Sequence, residues 1–150
     1  MAGLQHDILI TIDEPYGRYV AADDLERVAR VALEAEGVPG AELGILITDD
    51  ATIHDLNRRY ADEDKATDVL SFSLREGEEF VSPDETERLG EVIISLDTAK
   101  RQAEEAGRPL EAEVAHLLVH GILHLLGYDH AEPEEERAMQ ARERAILAGV

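Results

Sequence analysis

Four of the six histidines in this 150-residue chain, His116, His120, His124 and His130, fall in one short stretch, and their spacing is that of a metal chelate. Residues four apart on a helix stand one above the other on the same face, so His120 and His124 present two imidazoles to one point. Gly127 offers the left-handed residue that ends a helix, and a turn at Tyr128 and Asp129 brings His130 back toward the same point. Three neutral imidazoles fill three corners around one zinc ion and leave the fourth for water, the arrangement of a catalytic site. A water held there ionises near pH ~7 and supplies a nucleophile. His116 lies one turn further back, where as a fourth ligand it would close the site; it is expected behind the ligands or facing the substrate. Asp129 is a candidate to hold a ligand imidazole through its second nitrogen.

The spacing H-x-x-x-H-x-x-G-x-x-H is also that of the metzincin proteases, where a glutamate base follows the first ligand. Here that position is Gly121, so the cage is kept without the base. A zinc hydrolase of peptides or small molecules built on this cage would need its base from Glu91 or Asp129.

The elements that must position these histidines follow from periodicity. Leu117, Leu118, Ile122, Leu125 and Leu126 surround them with apolar positions, so the helix expected over Leu110 to Leu126 is a buried one. Ile8, Ile10 and Ile12 alternate within a strand from His6 to Asp13. Leu25, Val28, Ala29, Ala32 and Leu33 recur at helical spacing between Asp23 and Glu36, and Leu43 to Thr48 is an apolar run. This strand, helix and strand predict a right-handed crossover and parallel pairing. A helix capped by Asp49 or Asp50 runs to Tyr60, with Ile53, Leu56 and Asn57 inward. A charged loop, Ala61 to Thr67, leads to a strand from Asp68 to Leu74. An acidic excursion over Arg75 to Arg88 precedes a strand from Gly90 to Ser95, and these two strands pair antiparallel. A helix follows from Asp97 to Ala106. Pro133 opens the last helix, to Ala148, with Ala138, Met139, Ala145 and Ile146 inward. The expected fold is α+β, a mixed four-stranded sheet packed by about five helices and carrying a zincin-like three-histidine metal site. No repeat, linker or composition break divides residues 1–150, so one domain is expected.

The chain has no cysteine, which excludes disulfides and thiolate zinc fingers. It lacks an N-terminal signal pattern and any apolar run long enough to cross a bilayer, so a cytoplasmic protein without membrane contact is expected. A formal charge of −20 opposes indiscriminate binding to nucleic acid, whose affinity comes largely from neutralised phosphates. Arg58, Arg59, Lys65 and Arg75, with the metal dication, are the candidates for one positive cleft on the acidic body.

The stretch from His120 to His130, H-G-I-L-H-L-L-G-Y-D-H, closely resembles the H-G-x-L-H-L-x-G-Y-D-H motif of the YbeY family, bacterial metal-dependent endoribonucleases that mature ribosomal RNA. Leu56-Asn57-Arg58-Arg59-Tyr60 followed by Thr67-Asp68-Val69-Leu70-Ser71-Phe72 is similar to the family's L-N-x-x-Y-R-x-x-D-x-P-T-D-V-L-S-F. Leu89-Gly90-Glu91-Val92-Ile93-Ile94-Ser95 is similar to its strand L-G-D-I-x-I-S. The resemblance covers most of the chain from about Leu43 onward.

It implies a zinc-dependent, single-strand-specific endoribonuclease acting in small-subunit ribosomal RNA maturation and ribosome quality control. Its partners would be single-stranded and ribosomal RNA, the small ribosomal subunit and assembly proteins. His120, His124 and His130 would bind the zinc and act through it and its water. Arg58, Arg59, Thr67, Asp68 and Glu91, like His116 and Asp129, would stand behind the ligands or face the substrate. The chain departs from the family pattern at Ala61, where an arginine is common, at Ala66 and Ser73, where prolines are usual, and at Glu91, where aspartate is usual. Ala61 keeps open a ribosome-assembly binding protein whose zinc is not catalytic.

Overall fold

A computed structural model of the chain describes residues 6–60, 67–73, 87–128 and 131–150. In chain order the elements are β1 (Asp7–Ile12), α1 (Ala22–Ala35), β2 (Ala41–Thr48), α2 (Asp50–Tyr60), β3 (Val69–Ser73), β4 (Glu87–Ser95), α3 (Leu96–Ala106), α4 (Leu110–Leu125) and α5 (Pro133–Ala148). The strands form one four-stranded sheet in the order β1-β2-β4-β3. β1, β2 and β4 are parallel, and β3 is antiparallel to β4. The architecture is therefore the α+β, mixed-sheet arrangement expected from the pattern, with five α-helices among the described residues.

Side chains alternate across a strand, so register assigns each residue to a face. Ile10, Ile45, Val92 and Ser71 form one row across the sheet. Val92 and Ser71 of that row meet Gly121 of α4, which identifies this as the helix-packed face. The next row, Leu9, Gly44, Glu91 and Phe72, points the other way. α2 belongs to that second face, where the Tyr60 ring meets the edge of Phe72 at 5.8 Å between centroids. Leu9 on this face is 72% exposed, so the two faces differ sharply in burial.

α4 is the centre of the core. Val114, Leu117, Leu118, Val119, Ile122, Leu123 and Leu125 are all buried, and they point in more than one direction around the helix. A helix apolar nearly all round must be covered on several sides. α1, α3, β3, β4 and α5 all pack against it. α1 contributes the stripe of Leu25, Val28, Ala29, Ala32 and Leu33 that its periodicity predicted.

Three expectations are corrected. β4 starts at Glu87 rather than Gly90, because its first residues pair with Ala41 and Glu42 of β2 and an exposed Arg88–Glu42 ion pair at 3.6 Å keeps their charge in water. In α5, Ala138 and Ala145 are exposed, and Met139, Glu143 and Ile146 are buried. A small apolar side chain tolerates solvent, so apolarity alone did not select the inner face. In α2, Ile53 and Asn57 are buried but Leu56 is only half-buried. The loop over 61–66 and most of the acidic excursion lie outside the described residues, as do Lys65, Arg75, Ala61 and Ala66.

Candidate metal centre

α4 brings His120 and His124 together as its periodicity requires: their ring centroids are 5.0 Å apart and the rings are inclined by 68°. A zinc ion about 2.1 Å from two Nε2 atoms at the tetrahedral angle requires the ring centroids to stand about 5 Å apart. The observed pair fits that requirement. Among the described residues no three His, Cys, Asp or Glu side chains are arranged to hold a metal ion. The third expected ligand, His130, lies outside the described residues, as does Asp129.

The chain beyond α4 is anchored up to Tyr128. Gly127 adopts φ 106°, a conformation costly for any residue with a Cβ, and the Tyr128 N–H donates to the Leu123 carbonyl at 3.0 Å. These are the marks of a Schellman ending, so the helix stops one turn after His124. The Tyr128 hydroxyl then donates to Glu36 at 2.7 Å, and the Arg142 Nε donates to the other oxygen of the same carboxylate at 2.7 Å. The end of α1 and the middle of α5 thereby clamp the last residue before the segment that carries His130. The Glu36 hydrogen bond, with burial, raises the Tyr128 phenol above its ordinary value.

Glu143, on the inner face of α5, is the functional residue that the sequence reading missed. Its Oε2 lies 2.6 Å from His120 Nδ1 and its Oε1 lies 3.2 Å from His116 Nε2. Burial pushes this carboxyl up, but the hydrogen bonds and charge of His116 and His120 outweigh it and bring it down to about 2. The carboxylate is therefore ionised at neutral pH and can only accept, so both imidazoles donate to it. The same hydrogen bond raises His116 above its ordinary value against the opposing effect of burial. A signal was available in the sequence: Met139, Glu143 and Ile146 follow the spacing of one buried stripe, and an acid within such a stripe must have a partner.

Gly121 explains the absence of a protease-type base. A Cβ there would stand 2.7 Å from Val92 Cγ1, and the Ser71 hydroxyl donates to the Gly121 carbonyl at 3.0 Å. α4 lies so close to β3 and β4 that a glutamate at this position would collide with the sheet. Glu91, the other described candidate for a base, is exposed on the opposite sheet face, over Gly44, and is not placed with the histidines.

The remaining expected site residues are used elsewhere. Arg58 and Arg59 both pair with Asp55 of their own helix, at 2.7 and 3.1 Å. Asp68 accepts from Gln102 at 3.3 Å and from the Thr67 hydroxyl at 3.4 Å, while its carbonyl accepts from the Ser95 N–H. Asp68 therefore ties the start of β3 to β4 and α3, and Thr67 donates to Asp68. A cleft of about 620 Å³ that reaches His116 is of mixed charge: Arg18, Arg27 and Arg108 line it with Asp24 and Glu111, Arg27 pairs with Asp24 at 3.6 Å, and Arg108 pairs with Glu113.

Comparison with known proteins agrees with this architecture. Residues 15–150 match the family model described as Endoribonuclease YbeY. A protein of that name from Desulforamulus reducens is 51% identical over 125 residues, covering 82% of each chain. Its namesake from Aquifex aeolicus is 49% identical over 132 residues, covering 87% of this chain and 85% of the other. One from Moorella thermoacetica is 48% identical over 143 residues, covering 92% and 91%. A solution structure of a Thermotoga maritima protein shares the fold, with a TM-score of 0.61 at 23% identity over 93% of this chain and 86% of that one.

Proposed function

The chain belongs to the YbeY endoribonuclease family, and from that premise we propose that its 150 residues act as one zinc-dependent domain cutting single-stranded RNA during small-subunit ribosomal RNA maturation and ribosome quality control. The observation that carries the metal-dependent reading is the His120–His124 pair, spaced at 5.0 Å as one shared cation requires. His120, His124 and His130 would hold the zinc. When bound, such an ion stabilises negative charge on a phosphodiester undergoing displacement and makes a nucleophile available at neutral pH.

The chain's own residues do the rest. Glu143 fixes the His120 imidazole, and Glu36, itself held by Arg142, anchors Tyr128 at the end of the Schellman turn. The reading as a peptide hydrolase loses support because Gly121 leaves no room for a base and Glu91 faces away. Its setting would be the cytoplasm, with the small ribosomal subunit and assembly proteins as partners. No helix among the described residues is long and apolar enough to cross a membrane.

The test is cleavage of a single-stranded RNA by zinc-loaded protein, with His124→Ala purified identically. Cutting by the wild type alone supports the proposal; equal cutting by both, or by neither, overturns it. A rate on naked RNA that falls steeply as salt rises would show that local positive charge, rather than a partner, recruits the RNA.

A further inference from the structure

We propose that Glu143 is the positioning residue that divides two neighbouring histidines into two roles, holding His120 as a metal ligand through Nε2 and withholding His116 from the metal. This rests on the metal-site reading above and extends it to which histidines bind and how many.

The geometry supplies the reason. One carboxylate spans both rings, with Oε2 at 2.6 Å from His120 Nδ1 and Oε1 at 3.2 Å from His116 Nε2. A carboxylate that accepts from Nδ1 of His120 keeps the proton on that nitrogen and leaves the Nε2 lone pair for a metal. Free imidazole favours the opposite tautomer, so without Glu143 the ligand nitrogen would more often carry the proton. At His116 the contact is reversed. Its Nε2 is spent on Glu143, and its Nδ1 is buried with no hydrogen-bond partner among the described residues. Neither nitrogen of His116 is presented to a cation, although it stands only one turn from His120, at 6.4 Å between ring centroids. A fourth imidazole would close a tetrahedral zinc site, whereas three leave a position for water or substrate. Glu143 thus decides between an open and a closed centre. The contact between α4 and α5 is what brings it there.

The experiment uses the full chain, stripped of metal and titrated with zinc against a chromophoric chelator. Glu143→Gln keeps the size of the side chain but can no longer accept from both rings as an anion, and its zinc affinity should fall by about 10- to 100-fold. His116→Phe should hold its zinc affinity within about three-fold, well short of the loss expected even for an outer partner of a ligand. Long-range nitrogen–proton spectra of the metal-free wild type should show His120 in the Nδ1–H form, shifting toward Nε2–H in Glu143→Gln. Undiminished affinity in Glu143→Gln, a ligand-sized loss in His116→Phe, or an Nε2–H tautomer at His120 in the wild type would each overturn the proposal. If Glu143→Gln does not fold, the wild-type tautomer and His116→Phe decide it. Failure of the wild type itself to bind zinc is a different result, which removes the metal-site reading and this inference with it.

Discussion

Two carboxylates join helices in this protein, Asp50 half-buried and Glu143 buried, and they differ in what their partners can do next. Asp50, at the start of α2, accepts from the Ser95 hydroxyl, from the Thr98 hydroxyl at 2.7 Å and from Arg101 at 3.0 Å, which ties α2 to the start of α3. Glu143, on α5, accepts from two imidazoles of α4. The Ser95 and Thr98 hydroxyls turn their lone pairs back into the same network, accepting from the Thr98 N–H and from Arg101, and a guanidinium has no lone pair to offer. An imidazole has one. The Asp50 network therefore ends at its donors and is scaffold, whereas the orientation fixed by Glu143 is carried through the ring to a nitrogen that can bind something else. Asp50 is the more exposed of the two and has the more donors, three against two, so neither burial nor hydrogen-bond number marks out Glu143. The chemistry of the donor separates structure from function.

The harshest way to break the comparison is at the far nitrogen. If the proposed site is right, His124→Ala removes a ligand, and zinc affinity should drop by more than about 100-fold, the upper end of the cost of losing an outer partner. RNA cleavage should fall to the buffer level, and both are read by chelator competition and gel assay. The corresponding damage to the scaffold should leave the metal alone. Asp50→Asn forfeits charge-assisted hydrogen bonds and should cost about 1–2 kcal/mol in urea unfolding of the metal-free protein, with zinc affinity changed less than about two-fold. A loss of zinc binding in Asp50→Asn would erase the distinction between the two sites.

The comparison sharpens with pH. Burial pushes the Asp50 carboxyl up, but hydrogen bonds from Ser95, Thr98 and Arg101 outweigh it and hold the group below its ordinary value. A carboxyl lowered by folding contributes stability that is fully present above its unfolded value and is lost as pH falls through its folded value. The stability gap between wild type and Asp50→Asn should thus be widest near neutrality and narrow below about pH 4. A gap that widens on acidification would contradict this.

The smallest effect belongs to the close approach of α4 to the sheet. Gly121→Ala gains about 1 kcal/mol of helix propensity but forces its new methyl against Val92, an overpacking worth about 1–3 kcal/mol. The net loss should be about 1 kcal/mol in thermal or urea unfolding. Trimming Val92 to Ala in the same chain should turn the Gly121→Ala step neutral or favourable, and additivity in that double-mutant cycle would show that the contact is not the cause.

Much of the fold was legible because its signals are local. The alternation of Ile8, Ile10 and Ile12, the stripe of α1, Pro133 at the start of α5 and Gly127 beyond α4 each report a backbone period or a cap. The His120–His124 pair is equally local, since one helical turn sets its spacing. Residues chosen for their motif position alone fared differently. Thr67 and Asp68 serve strand and helix joints, Arg58 and Arg59 pair with Asp55, and Glu91 faces away from α4. Proximity along the chain does not settle which side of a sheet a residue occupies, because neighbouring positions on a strand point to opposite faces.

What the sequence determined by itself is the His120–His124 pair, the helix that carries it and the glycine that ends that helix, because each depends on contacts within a few residues. Only the tertiary structure decided that Glu143, 23 residues beyond His120, would reach that histidine, and that Gly121 would sit against Val92 with no space for a base. Those outcomes depend on how α5 and the sheet pack around α4. A buried acid announces that it needs a partner, but packing chooses which one.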